Sequence, residues 1–322
     1  MEDKILYNSF LEEIGKKIPQ KTEVANIISE ILCIDKNDVY RKLNGEASFT
    51  FYEVVAISRH LDISLDNLKI DDSSTAKQFE PKQIEYVNPA ESDFALMAEM
   101  TTIMKSFKDA SDPEAAEITN ILPQPLYIPY ENVSRFYLFK WKYQSNLNKA
   151  IPYKDIIISD TLKKTQDDYI KWARLLHADY IFDHLLFQYL IADIRYFYHA
   201  GLITREEILL IKQDLLYILD DIDYLTNTGF FRETGKRVNI YISDVNIDTN
   251  YVYVSTPDFQ LTIIKAFIIN GIATTDKKIS RELSHRVQSI KQQSILITGS
   301  SEKDRIKFLT EQRNVIESLS LL

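Results

Sequence analysis

Glycine is scarce in this chain, 7 of 322 residues. That leaves little material for the glycine-rich turns that wrap backbone N–H groups around a phosphate. The one cysteine, Cys33, excludes an internal disulfide and a cysteine-rich zinc site, and suits a reducing compartment. Long apolar runs are missing too. The stretch Ala266–Thr275, held between Lys265 and Asp276, is well short of the ~18–20 residues that span a bilayer, so no membrane partner is expected. The start, MEDKIL, is acidic from its second residue and has no basic n-region, so a soluble cytoplasmic protein is expected. Positive charge is in deficit. Lys and Arg number 38 against 47 Asp and Glu, a net charge of −9 that argues against coating of nucleic acid by the whole molecule.

What is present is material for ordinary cores. Apolar residues make up 45% of the chain and charged residues 26%, which places it among globular proteins rather than disordered ones. With 19 Tyr and 16 Phe, those cores are expected to be largely aromatic. The length suits a small module joined to a larger one. Ile5–Leu68 carry short helical patterns, which predicts a small domain over 1–70, and DDSSTAKQFEPKQ (Asp71–Gln83) lacks apolar periodicity and contains proline. A linker is therefore expected over 71–91, with a larger domain over 92–322.

In the larger part, Asp93–Phe107, Val133–Tyr143, Asp168–His199 and Arg205–Thr226 read as helices. Thr204 and Glu207 have capping-box spacing, and Gly229 suits a C-cap. Val238–Ile247 alternates, Asp248–Asn250 supplies a turn and Tyr251–Ser255 alternates again, which predicts a β-hairpin. Gln260–Ile272 reads as a third strand or a buried helix, Ser294–Thr298 as a strand, and Lys277–Gln292 and Glu302–Leu319 as helices. The expected fold is mainly α: an N-terminal helical bundle followed by a helical α+β body with a small antiparallel sheet.

Between residues 20 and 70 the pattern points to a particular chemistry. Val24, Ile27, Ile28 and Ile31 form one helix face, a break at Cys33–Asp35 comes next, and a second short helix spans Lys36–Asn44. Val39 and Leu43, four apart, must face the core. At ~100° per residue this turns Asn37, Arg41 and Asn44 to the opposite side, with Tyr40 flanking. Arg binds guanine through two hydrogen bonds, Asn binds adenine, and Tyr or Lys holds phosphates.

The run Val39-Tyr40-Arg41-Lys42-Leu43-Asn44-Gly45-Glu46, the helix Phe51–Leu61 and the closing Ile63-Ser64-Leu65-Asp66-Asn67-Leu68 resemble a helix-turn-helix of the lambda-repressor-like (Cro/C1, XRE) class. Within that class they resemble more closely the BetR-type N-terminal domain of bacterial transcription regulators. The resemblance implies sequence-specific binding of double-stranded DNA by Lys36, Asn37, Tyr40, Arg41, Lys42 and Asn44, braced by the helix Lys21–Ile31. Where the family usually carries glycine in the turn, this chain has Cys33, and a side chain in a left-handed turn costs on the order of 1 kcal/mol. Residues 1–70 hold nine basic side chains against twelve acidic ones, a net of −3. Phosphate neutralisation supplies much of DNA affinity, so a single module should bind weakly and a homodimer is expected. The alternative is a protein–protein interaction module that keeps the fold without reading DNA.

Other constellations favour packing over chemistry. His177, Asp183 and His184 suggest a metal site only if they converge, and a histidine at a core boundary is the plainer reading. Asp220, Asp221 and Asp223 read as the exposed face of an amphipathic helix. Arg305 and Lys307 lie in the segment Asp276–Arg313, which carries a net of +4 and could meet an anion. The aromatic run Phe136, Tyr137, Phe139, Trp141 and Tyr143 reads as core, and Gly299–Ser301 lacks the lysine of a phosphate loop. Neither a catalytic centre, a cofactor nor a metal is therefore expected. The body is expected to dimerise through Asp168–His199 and Arg205–Thr226, holding two reading heads roughly 34–36 Å apart, and to respond to a small-molecule or protein effector.

Overall fold

The computed structural model describes residues 2–18, 21–63, 65, 68, 89–145, 151–257, 259–265 and 271–321. It divides into two compact units, Met1–Glu80 and Pro81–Leu322. The expected linker lies outside the described residues as far as 88, and Pro89–Glu91 already belong to a helix.

Among its described residues the first unit has four α-helices: α1 (Glu2–Lys17), α2 (Lys21–Leu32), α3 (Lys36–Leu43) and α4 (Phe51–Leu61). Spacings of three and four put Phe10 and Ile14, Val24 and Ile28, Val39, and Ile57 on inward faces, where all are buried in one cluster. Between α2 and α3, Cys33 takes φ 55°, the left-handed region that glycine occupies freely. Ser29 spans this turn: its hydroxyl donates to the Ile34 carbonyl at 2.7 Å, while the Ile34 N–H donates to the Ser29 carbonyl at 3.3 Å. A capping box opens α4. The Glu53 N–H donates to Thr50 Oγ1 at 3.3 Å and the Thr50 N–H to Glu53 Oε2 at 2.6 Å. Of the closing run Ile63–Leu68, only Ile63, Leu65 and Leu68 fall within the described residues.

The second unit is α+β. Its helices are α5 (Pro89–Ser106), α6 (Gln124–Tyr127), α7 (Glu131–Ser145), α8 (Asp160–Ala173), α9 (Leu186–His199), α10 (Arg205–Thr228), α11 (Lys277–Gln293) and α12 (Glu302–Glu317). The strands are β1 (Glu114–Thr119), β2 (His177–Asp183), β3 (Val238–Ser243), β4 (Asn250–Ser255), β5 (Gln260–Lys265), β6 (Ile272–Thr274) and β7 (Ile295–Leu296). They form a single seven-stranded sheet in the order β6-β5-β4-β1-β2-β3-β7. β1, β2 and β3 are mutually parallel neighbours, reached through helical crossovers; the remaining pairings are antiparallel. The expected small antiparallel sheet is thus a larger, mixed one.

Both faces of the sheet are covered. Ile118 of β1 and Ile181 of β2 cluster with Val287 and, more loosely, Ile290 of α11. On the other face Glu117, Tyr180 and Val252 meet Met100 and Met104 of α5 and Tyr169 of α8. That covering explains three departures from expectation. His177–Asp183 is a strand, not part of one helix running from Asp168 to His199. Its core-facing residues lie on both sides, so the period of two is blurred into a continuous apolar run. The strand Glu114–Thr119 reads EAAEIT, and its Glu and Ala are poor strand formers, so its sequence signal is weak. Finally, β3 and β4 alternate as expected but do not pair as a hairpin, because β1 and β2 lie between them. The hairpin partner of β4 is β5.

Local signals fared better. Thr204 and Glu207 form the capping box of α10, and Gly229 ends it at φ 76°. Gln260–Lys265 and Ile272–Thr274 are strands, while 266–270 lie outside the described residues. The aromatic run of α7 packs as core: Phe136, Phe139 and Trp141 are buried, and the Phe139 and Phe197 rings meet at 4.6 Å.

Candidate nucleic-acid interface

α3 begins where Asp35, extended at φ −64° and ψ 143°, accepts the Asn37 N–H at 2.8 Å. It ends at Asn44, whose N–H reaches the Tyr40 carbonyl at 2.9 Å, and Gly45 then turns the chain at φ 75°. Tyr7 of α1 ties down the segment between α3 and α4. Its hydroxyl lies 2.9 Å from the Lys42 carbonyl and 3.2 Å from that of Ala47, and accepts the Phe49 N–H at 3.3 Å. Burial pushes the Tyr7 phenol up from its ordinary value, so it stays a neutral donor. A short helix is thereby held at both ends without using its outer side chains.

Val39 is fully buried beneath α3 and Leu43 packs against the same core. Lys36, Asn37, Tyr40, Arg41 and Asn44 are exposed. Arg41 keeps loose company, with Nη1 at 3.8 Å from Asp38 and Nε at 3.9 Å from Glu46. Exposed pairs at that distance contribute little, so a phosphate or a guanine edge can take their place.

Lys42 stands apart from the other five. Its ammonium donates to the Ser48 carbonyl at 3.0 Å and to Glu53 Oε2 at 2.9 Å, and lies 5.5 Å from the Phe49 ring centre. Its side chain is only 14% exposed. Lys42 therefore joins α3 to the start of α4 and is not presented with the outer edge. Sequence reasoning passed over Phe51 and Tyr52, which stand 83% and 80% exposed on the first turn of α4. Two adjacent aromatics in the first turn of a capped helix carry no signal of which way they face.

Of the metal-site candidates only Asp183 and His184 adjoin, Oδ1 to Nδ1 at 3.6 Å, and His177 does not join them. His177 and His184 sit at and just beyond opposite ends of β2, about 23 Å apart at ~3.3 Å per residue. His177 contacts Asp112 at 3.0 Å and accepts the Arg237 N–H at 3.0 Å, while His184 Nδ1 faces the Ser243 carbonyl at 3.1 Å. Asp183 is fully buried and accepts the N–H groups of Leu185 at 2.8 Å and Ile247 at 2.7 Å, so it braces the end of the strand. The acidic run of α10 is engaged. Asp220 pairs with Arg313 at 2.5 Å, Asp221 accepts the Tyr130 hydroxyl at 2.6 Å, and Asp223 pairs with Arg305 at 3.3 Å. Cys33 is exposed, and its thiol faces the Glu30 carbonyl at 3.7 Å. The chain matches no family model, no curated protein and no solved structure.

Proposed function

We propose that the protein is a sequence-specific DNA-binding regulator of transcription, with its first unit a lambda-repressor-like helix-turn-helix of the BetR type. One observation carries this reading: α3 buries Val39 and Leu43 while Lys36, Asn37, Tyr40, Arg41 and Asn44 remain on the outside, unneeded by the core. A polar helix edge of that composition suits a major groove, where Arg and Asn read base edges and Lys and Tyr hold the backbone. The left-handed Cys33 turn between α2 and α3 supports the same reading. Full-length protein should select a preferred site from random DNA, and Lys36→Glu combined with Arg41→Ala should abolish retardation of that site. Unchanged retardation by the double variant sinks the proposal.

With a net of −3 over residues 1–70, a single head has little phosphate-neutralising charge, so two heads acting together are part of the proposal. The body offers a surface for pairing: α10 leaves Leu210 and Tyr217, seven residues apart, half exposed along one stripe. A monomer by sedimentation at micromolar concentration, with and without DNA, counts against the homodimer. A second reading, docking to a protein, is favoured by the exposed Phe51 and Tyr52 in an acidic unit. It predicts that no DNA is selected.

A further inference from the structure

A cleft of about 330 Å³ opens in the second unit beyond the carboxyl ends of the parallel strands β1 and β2. Ligands of open α/β sheets gather at that edge, where the strands give way to helices and leave a crevice. The volume is at the lower end of small-molecule sites. Asn120, directly after β1, contributes the floor; Tyr137 and Lys140 of α7 form one wall, and Tyr189, Leu190 and Asp193 of α9 the other.

The polar groups here are held in place yet keep unused capacity. Lys140 and Asp193 pair across the cleft, so it contains both charges and no net one. The Asn120 side-chain amide donates to the Ile247 carbonyl at 2.9 Å, and its backbone N–H to Asn250 Oδ1 at 2.7 Å. Its Oδ1 is left without a hydrogen bond among the described residues. The Tyr137 hydroxyl accepts the Leu122 N–H at 3.2 Å, and its own proton has no acceptor among the described residues. Among the described residues Asp193 Oδ1 accepts no hydrogen bond, its Oδ2 being the atom that meets Lys140, and the Tyr189 hydroxyl has no partner.

This arrangement discriminates between ligand classes. A carboxylate would displace Asp193 from Lys140 or lie against it, and an amine would meet Lys140 in the same way. Like charges pressed together in a half-enclosed site are unfavourable. A neutral ligand with several hydroxyl groups avoids both. Its O–H groups donate to Asn120 Oδ1 and Asp193 Oδ1, its oxygens accept from Lys140 and Tyr137, and an apolar ring face rests on Tyr189. We propose that the cleft binds a polyhydroxylated ligand of monosaccharide size. The proposal is independent of DNA binding by the head.

Full-length protein is titrated by calorimetry and ligand-detected NMR with D-glucose, D-galactose, D-mannose, D-ribose and myo-inositol; succinate and putrescine serve as charged probes. At least one neutral probe should saturate below about 20 mM. Asp193→Asn and Tyr189→Ala should each weaken it about tenfold, with folding judged intact from an unchanged melting curve. Tyr189 is partly exposed, so its truncation keeps the test usable if Asp193→Asn perturbs the fold. The proposal is overturned if no neutral probe saturates, if succinate or putrescine binds more tightly than all of them, or if both variants bind like the parent.

Discussion

The two units bury charge to different depths. In the first, the core cluster is aliphatic and aromatic, and of the charged side chains of α3 only Lys42 turns in, meeting Glu53 at the edge with 14% and 16% exposure. The second unit draws charge inward: Lys265 and Glu117 pair on the sheet face at 7% and 8% exposure. Lys291 and Asp179, and Lys140 and Asp193, form further partly buried pairs. A charge that folding does not use is free for a partner, whereas a charge sealed in a core is held by the cost of leaving its counterpart alone. Exposed polar residues of the head therefore point to recognition. Buried ones of the body point first to architecture, and to a ligand only where they border a cleft.

Replacing lysine by methionine in each unit tests this contrast most severely. Lys265→Met strands the Glu117 carboxylate and is expected to cost about 3–5 kcal/mol in urea unfolding; adding Glu117→Leu should recover most of it. Lys42→Met removes a better solvated pair and one further polar contact, to the Ser48 carbonyl, at the edge of the head, and should cost only about 1 kcal/mol. Equal losses would erase the distinction.

Acid should separate the units more gently, and by sign. Burial acts to raise the pKa of Glu53, but the Thr50 N–H, the Lys42 ammonium and the Thr50 hydroxyl outweigh it and hold the carboxyl below its ordinary value. Its stabilising effect is therefore present above the ordinary glutamate range and lost as pH falls through the lowered folded value. Asp214 of α10 is the reverse. Burial outweighs the N–H groups of Asn132 and Val133 and lifts its carboxyl, so its penalty at neutral pH is relieved on acidification. Amide exchange on the full chain from about pH 6 to about pH 3.5 should show α3 and α4 losing protection before the first turn of α7. Glu53→Gln should remove that acid response in the head.

Legibility tracked the range of the forces involved. The α3 boundaries, the Thr204–Glu207 box and the Gly229 cap were readable because each depends on residues within one or two turns of one another. Whereas Lys36 came from the family resemblance, the outward Asn37, Arg41 and Asn44, with Tyr40 flanking, came from the same periodicity. The inward turn of Lys42 did not, since it depends on Ser48 and Glu53 presented by the next helix. Nor did the cleft, whose residues come from 120, 137–140 and 186–193 and share no sequence signature.

Local order alone was enough to determine the helices of the head and the polar edge that one of them shows, because helical contacts close within four residues. Which strands adjoin, that EAAEIT runs through the middle of a sheet, and that Glu117 meets Lys265 across 148 positions were decided only when the layers packed. Strand pairing joins backbone groups that are alike in every residue, so the partner is selected by the surfaces buried on both faces and not by the strand's own letters.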